Sequence, residues 1–194
     1  MIKGFGARTT ALLFAAFALA ACVSMPGAPP VPSIETMQAV QNAGLPAMRV
    51  GAFLPGADLP GHADRSLPAR GGAATPPNGK SFAAHLGETL STELGAASRL
   101  DPASDIEISG FLVESRLNAE KIKIATGSIA ARFVVRRGGT VIYDRVLREN
   151  GQWESSFLGN TAIPIAIQGY NSLYPKLVRQ LLSDPALANA LRGG

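Results

Sequence analysis

The chain has 194 residues, a formal charge of +4 at neutral pH, two histidines and one cysteine. A length of this order bounds the fold to one domain with a core of its own, and a lone cysteine excludes a disulfide framework. The modest charge gives no reason to expect a nucleic-acid partner.

Residues 1–21 read as a signal peptide. Lys3 and Arg8 form a positive n-region, Ala11 to Ala18 is an unbroken apolar stretch, and small Ala20 and Ala21 precede Cys22, as export signals require. The apolar stretch is too short to span a bilayer, which takes about 20 residues of helix. Leu19-Ala20-Ala21-Cys22 resembles the lipobox of bacterial lipoproteins. That resemblance implies cleavage before Cys22, a covalent acyl lipid on its sulfur and acylation of the new N-terminus. One acyl chain holds a protein marginally, at about 0.8 kcal/mol per buried methylene, and two or more hold it stably. By resemblance to enterobacterial lipoproteins, Val23, standing where an aspartate would signal retention, implies delivery to the outer membrane. Loss of Lys3 and Arg8 with the signal leaves a charge of +2. No other cofactor is expected.

Residues 22–47 read as the lipidated cysteine and a proline-rich tether, Met25 to Pro32 stiffened toward an extended spacer, with a weakly helical patch from Glu35 to Gln41. Residues 48–194 read as a single periplasmic domain. Met48 to Leu54 is a short strand. Pro55 to Gly79 has no apolar period and reads as a long loop, a candidate for partner contact. Ser81 caps a helix reaching about Ser98, with Phe82, Leu86, Leu90 and Leu94 on one stripe.

Asp105 to Leu117 alternates as a strand, with Ile106, Ile108 and Leu112 on one side. Ile122 and Ile124 open the next strand on even positions, and Ile129, Ala131, Phe133 and Val135 continue it on odd ones. That change of phase predicts a bulge across Thr126-Gly127-Ser128. At Gly138-Gly139 a three-residue loop gives the better matching, pairing Val135 with Val141, Phe133 with Tyr143 and Ile129 with Leu147. Asn160 or Thr161 opens the last long helix, with Pro164 in its first turn. Its stripe is Ile163, Ile167, Tyr170, Tyr174, Leu177 and Leu181, and Pro175 should kink it. Asp184-Pro185 reads as a cap and first position of a short closing helix.

The inventory for catalysis is thin. His62 falls in the glycine- and proline-rich loop, and His85 reads as exposed on the polar side of its helix. No nucleophile elbow, zinc-protease motif or phosphate-binding glycine loop is present. Asp101, Asp105 and Glu107 are best explained by capping and solvation. Arg132, Arg136, Arg137, Arg145 and Arg148 concentrate in the hairpin, either as a charge-protected sheet edge or as a surface for an acidic partner or anionic headgroups. Trp153 reads as a core anchor or an interface aromatic, with the core preferred.

Asp101 to Asp105 leading into Ile108-Ser109-Gly110, Ala131 to Val135 before the glycine turn, Tyr143-Asp144, Gln152 to Phe157, Ala162-Ile163-Pro164 and the closing Leu-Leu-Ser-Asp-Pro resemble a functionally uncharacterised family of proteobacterial lipoproteins. The likeness spans roughly Val50 to Leu191 and implies a compact α/β lipoprotein domain without catalytic residues. At the level of layout alone, the chain is also similar to auxiliary lipoproteins of envelope transport and assembly systems.

The expected fold is α+β: a two-layer sandwich of a mainly antiparallel sheet of about four strands with two amphipathic helices on one face. The expected role is a non-catalytic interaction domain, anchored in the outer membrane by Cys22 and engaging another envelope protein. The alternative is a small-ligand or lipid-binding module. The sequence leaves oligomeric state open.

Overall fold

The computed structural model describes residues 24–121 and 123–193; the expected signal peptide, Cys22 and Ile122 lie outside the described residues. In chain order the elements are β1 (Ser24–Pro26), α1 (Ile34–Ala43), β2 (Arg49–Pro55), β3 (Leu67–Ala69), β4 (Gly72–Thr75) and α2 (Phe82–Ala96), then β5 (Ile106–Asn118), β6 (Ile124–Arg137), β7 (Thr140–Glu154), α3 (Gly159–Asn171), α4 (Leu173–Leu182) and α5 (Pro185–Arg192). The strands form a four-stranded sheet in the order β2-β5-β6-β7 and a three-stranded one in the order β1-β4-β3.

β5, β6 and β7 make the expected antiparallel meander. β2, however, joins β5 in parallel. A parallel neighbour needs a crossover between the two strands, and the segment carrying α2 supplies it. The sheet is therefore mixed, and the smaller sheet adds a second unit to the layout expected from the sequence.

The phase break sits in β5 and not in β6. Register shifts between Leu112 and Glu114, so Val113 is extra, and Ser115 and Leu117 then turn inward. β6 pairs with β7 past Gly127 without interruption, and its odd positions from Ala125 to Val135 are all buried. Ile124 misled the sequence reading because it is an exposed isoleucine on an outward position.

Gly138 and Gly139, at φ 53° and 87°, form a two-residue turn, the geometry that suits the twist of a hairpin. Arg137 pairs with Thr140 and Arg136 with Val141; Ile142 is then extra, and Val135 pairs with Tyr143, Phe133 with Arg145 and Ala131 with Leu147. This replaces the expected three-residue loop. The tight turn alone would have sent Tyr143 and Leu147 outward; the bulge returns both to the core side.

Ser81 caps α2 as expected, its Oγ accepting the Ala84 N–H at 2.9 Å, and Phe82, Leu86, Leu90 and Leu94 are fully buried. The long C-terminal helix is broken into α3 and α4 at Ser172. Pro175 has no N–H for the Asn171 carbonyl. α3 begins at Gly159, so Pro164 falls in its second turn and not its first. Ile167, Tyr170, Tyr174, Leu177 and Leu181 are buried, as their stripe predicts. α2 and the α3–α4 pair cover the same face of the sheet. A side chain at Gly87 would meet Phe53, which packs on Phe133, and one at Gly127 would meet Tyr170.

Two segments are more ordered than their composition suggests. The expected tether folds onto the domain: β1 pairs in parallel with β4, and α1 buries Thr36 and Val40. Proline is tolerated in β1 because the strand is an edge. Within the expected Pro55–Gly79 loop, Arg70 (φ 46°) and Gly71 (φ 76°) turn β3 back along β4. Strands of only three and four residues leave too little alternation to be read in sequence.

Candidate functional site

The helices cover one face of the four-stranded sheet, and its other face carries residues that register sets in rows. Leu54 lies beside Phe111, Phe111 opposite Arg132, and Arg132 opposite Val146. Leu54 is 51% exposed and Val146 56%. The neighbouring rows are Ser109, Val134 and Asp144 on one side and Glu114, Ala130 and Arg148 on the other. This open face is a candidate surface.

Structure divides the five hairpin arginines and gives each a partner. Arg132 grips Asp144 with two bonds, Nε to Oδ1 at 2.7 Å and a terminal nitrogen to Oδ2 at 2.5 Å. That fork holds the Asp144 carboxyl below its usual range. Arg148 pairs with Glu114, which also accepts the Ser128 hydroxyl at 2.5 Å. Burial pushes Glu114 up, but these two partners outweigh it and leave its pKa lowered. Arg145 faces the helices and reaches Asp184 at 3.2 Å; the same carboxylate oxygen accepts the Tyr143 hydroxyl at 2.7 Å. Arg137 donates to the Leu191 carbonyl at 2.6 Å, and Arg136 to the Ser109 hydroxyl at 3.3 Å. The result is a compensated face with an apolar row, not one free cationic surface.

A polar chain lies buried under the helices. Ser115 donates its hydroxyl to the Ala63 carbonyl at 2.7 Å. Having one proton, it must accept from Tyr170, whose Oη is 2.7 Å away, and Tyr174 in turn donates to Tyr170 at 3.1 Å. Burial pushes Tyr170 up to about 12 and Tyr174 well above the usual tyrosine value. Asp64 sits nearby, accepting the Ala83 N–H at 2.9 Å and so supplementing the cap of α2, with burial raising its pKa.

His85 corrects the expectation of an exposed ring. It is 2% exposed, its edge lies against Tyr174 at 4.7 Å between centroids, and burial drops its pKa to about 4. Among the described residues its Nδ1 has no hydrogen-bond partner. With Thr89, Asn171 and Pro175 it lines a 180 Å³ cavity roofed by Ala28 to Val31. His62 is exposed in its loop. His62 does not line the cavity that His85 lines. Among the described residues no group of three His, Cys, Asp or Glu side chains could hold a metal, and no helix is long and apolar enough to cross a membrane.

Trp153 is half-buried and packs on the core. It lies over backbone: a Cβ at Gly169 would stand 2.4 Å from its ring, and Cβ atoms at Gly127 and Gly151 would also press on it. Beside it, Leu67, Pro68, Arg116, Asn118, Asn150 and Gln152 line an open depression of about 690 Å³.

No protein-family model matches the sequence, and no curated protein does. The fold is similar to that of protein XCC0632 from Xanthomonas campestris, family DUF330, at a TM-score of 0.55 and 10% identity, over 86% of this chain and 96% of that one. Weaker likenesses are a candidate lipoprotein of Caulobacter crescentus (TM-score 0.43, 16% identity, 56% and 82% covered) and hypothetical protein CT253 of Chlamydia trachomatis (0.47, 11%, 77% and 99%). At this identity the first of these describes the fold alone.

Proposed function

We propose that this chain is a lipid-anchored envelope protein whose domain engages another envelope protein, as a non-catalytic accessory to a transport or assembly system at the outer membrane. The observation that carries this reading is the open sheet face, where exposed Leu54, Phe111 and Val146 share a row with Arg132, whose charge Asp144 already satisfies, and the Arg148–Glu114 pair flanks it. Apolar surface framed by compensated charge suits a protein partner: burial supplies affinity and the paired charges supply register. The resemblance of Leu19 to Cys22 to a lipobox supports the lipid anchor.

A photo-crosslinking residue in place of Phe111 or Val146, with Lys176 on the exposed side of α4 as control, tests the face in living cells. The expected result is one protein captured from the two sheet positions, not from position 176, and lost when Leu54→Glu is added. Capture of a second copy alone, or of nothing, would overturn the partner reading. The second reading, a small-ligand or lipid-binding module, is favoured by the 690 Å³ depression beside Gln152; extractable lipid that co-purifies and is lost in Asn150→Trp, an exposed position lining that depression, would support it.

A further inference from the structure

We propose that Phe157 and Leu158, with Ile124 beside them, form a tip that rests in the phospholipid surface to which Cys22 holds the chain. The inference builds on the anchored reading above. Ser24, two residues after Cys22, is already paired with Ala73. Two virtual bonds between Cα atoms span at most about 8 Å, so the domain is held against the membrane and not lifted from it.

The end of the molecule that this constraint presses on the membrane is fixed by contacts. β1, paired with β4, runs beside α3, with Gly27 packed against Asn171 at the C-terminal end of that helix. At the opposite end, the Arg70-Gly71 turn leads through Gly72 into Ala73, the residue paired with Ser24, and Arg70 holds the segment just before α3. Its guanidinium donates to the carbonyls of Ala119, Ser156 and Phe157. Ser24 and the Phe157 loop therefore share one end of the domain.

That end is apolar where a water-facing loop has no need to be. Phe157 is 77% exposed and Leu158 59%, and Phe157 shares an open depression with Ile124, Lys123 and Trp153. Large apolar side chains lie in the interface while lysine stems carry their charge to the headgroups. Lys121 and Lys123 are exposed here, but Glu120 and Glu154 offset them, so apolar burial and not attraction to anionic lipid dominates the contact. Arg70, held by three carbonyls, keeps the loop in place for that contact.

Acylation of Cys22 leaves no other thiol in the chain, so Phe157→Cys offers a unique labelling site. The full acylated chain, carrying an environment-sensitive fluorophore at position 157, is bound to vesicles of phosphatidylethanolamine and phosphatidylglycerol containing nitroxide-labelled lipid. Val141→Cys, beside the Gly138-Gly139 turn at the far end of β6, is the control. The expected result is a blue shift and at least threefold quenching at 157, with neither at 141. Flotation with the vesicles but equal, weak quenching at both positions would overturn the tip and leave the anchor intact. Failure to float would remove the anchored reading and the tip with it. A label at 157 that is shielded in cells by a crosslinked protein, and not quenched by lipid, would assign the loop to that partner and overturn the proposal.

Discussion

Glu93 of α2 accepts the backbone N–H of Ser33 with both carboxylate oxygens, at 3.2 and 3.1 Å. Ser33 is the cap of α1, its own hydroxyl accepting the Thr36 N–H at 3.1 Å. Burial raises the pKa of Glu93, the Ser33 bonds and Arg179 work against that, and Glu35 adds to it. The pairing fastens the segment after β1 to the helical layer.

Removing that fastening should loosen the N-terminal segment first. Glu93→Ala leaves the Ser33 N–H without its acceptor and is expected to cost about 1–3 kcal/mol. Cleavage by an added protease should shift to residues 26–33. Glu93→Gln keeps an acceptor without a buried charge, so its melting temperature should stay near that of the wild type. A Glu93→Ala variant as stable and as protease-resistant as the wild type would mean the carboxylate has no such role.

His85 makes acid destabilising. Its folded pKa of about 4 lies below the ordinary 6.5, so the unfolded chain binds a proton that the folded one refuses. Stability falls as pH drops from about 6.5 toward 4 and then levels, by up to about 3 kcal/mol. Asp64 and Glu93, both raised, act in the opposite sense, gaining stability as pH falls through their folded values. The contribution of His85 is therefore read as a difference: unfolding free energies of wild type and His85→Gln should converge or cross as pH falls from 7 to 4. A constant offset would refute it.

Gly169 occupies a helix interior, where alanine ordinarily gains up to about 1 kcal/mol. Here the sign should reverse, because the added methyl meets Trp153 at 2.4 Å; overpacking of this kind costs about 1–3 kcal/mol. Trp153→Leu should relieve part of the clash. Denaturant titrations of the two single variants and the double should show a favourable coupling energy, and simple additivity would argue against contact.

Leu177→Ala should cost about 2–5 kcal/mol by emptying a fully buried site. Lys176→Ala, one residue earlier and exposed, should stay within about 0.5 kcal/mol. Superimposable melting curves would remove α4 from the core.

Cys22→Ser should abolish incorporation of an acyl probe in cells and leave unprocessed or soluble protein. Equal labelling of both forms would show that Leu19 to Cys22 is not a lipobox.

The sequence revealed the parts whose signal is periodic and long. Phe82 to Leu94 and Ile167 to Leu181 step at helical spacing over several turns, and the structure buries the residues of those stripes. Registers were harder, because a single extra residue moves a whole strand: Val113 and Ile142 look like ordinary strand residues, and only pairing reveals them as bulged. His85 looked exposed because its neighbour on the helix face is Glu88; Tyr174, which buries it, lies in an element 89 positions away in sequence. The arginines were visible as a cluster, but Asp144, Glu114 and Asp184 could be matched to them only once strand faces were known.

The parallel entry of β2 bears on the order of assembly. β5, β6 and β7 meet through short connections and can form early, whereas β2 waits for β5 and β1 for β4. Ser33 must find a carboxylate 60 positions later. Closing such long loops is entropically costly and slows the step. The expected order of consolidation runs backward along the chain, the C-terminal meander serving as the template on which the N-terminal third settles last, and the slowest folding phase should report on Met25 to Leu54.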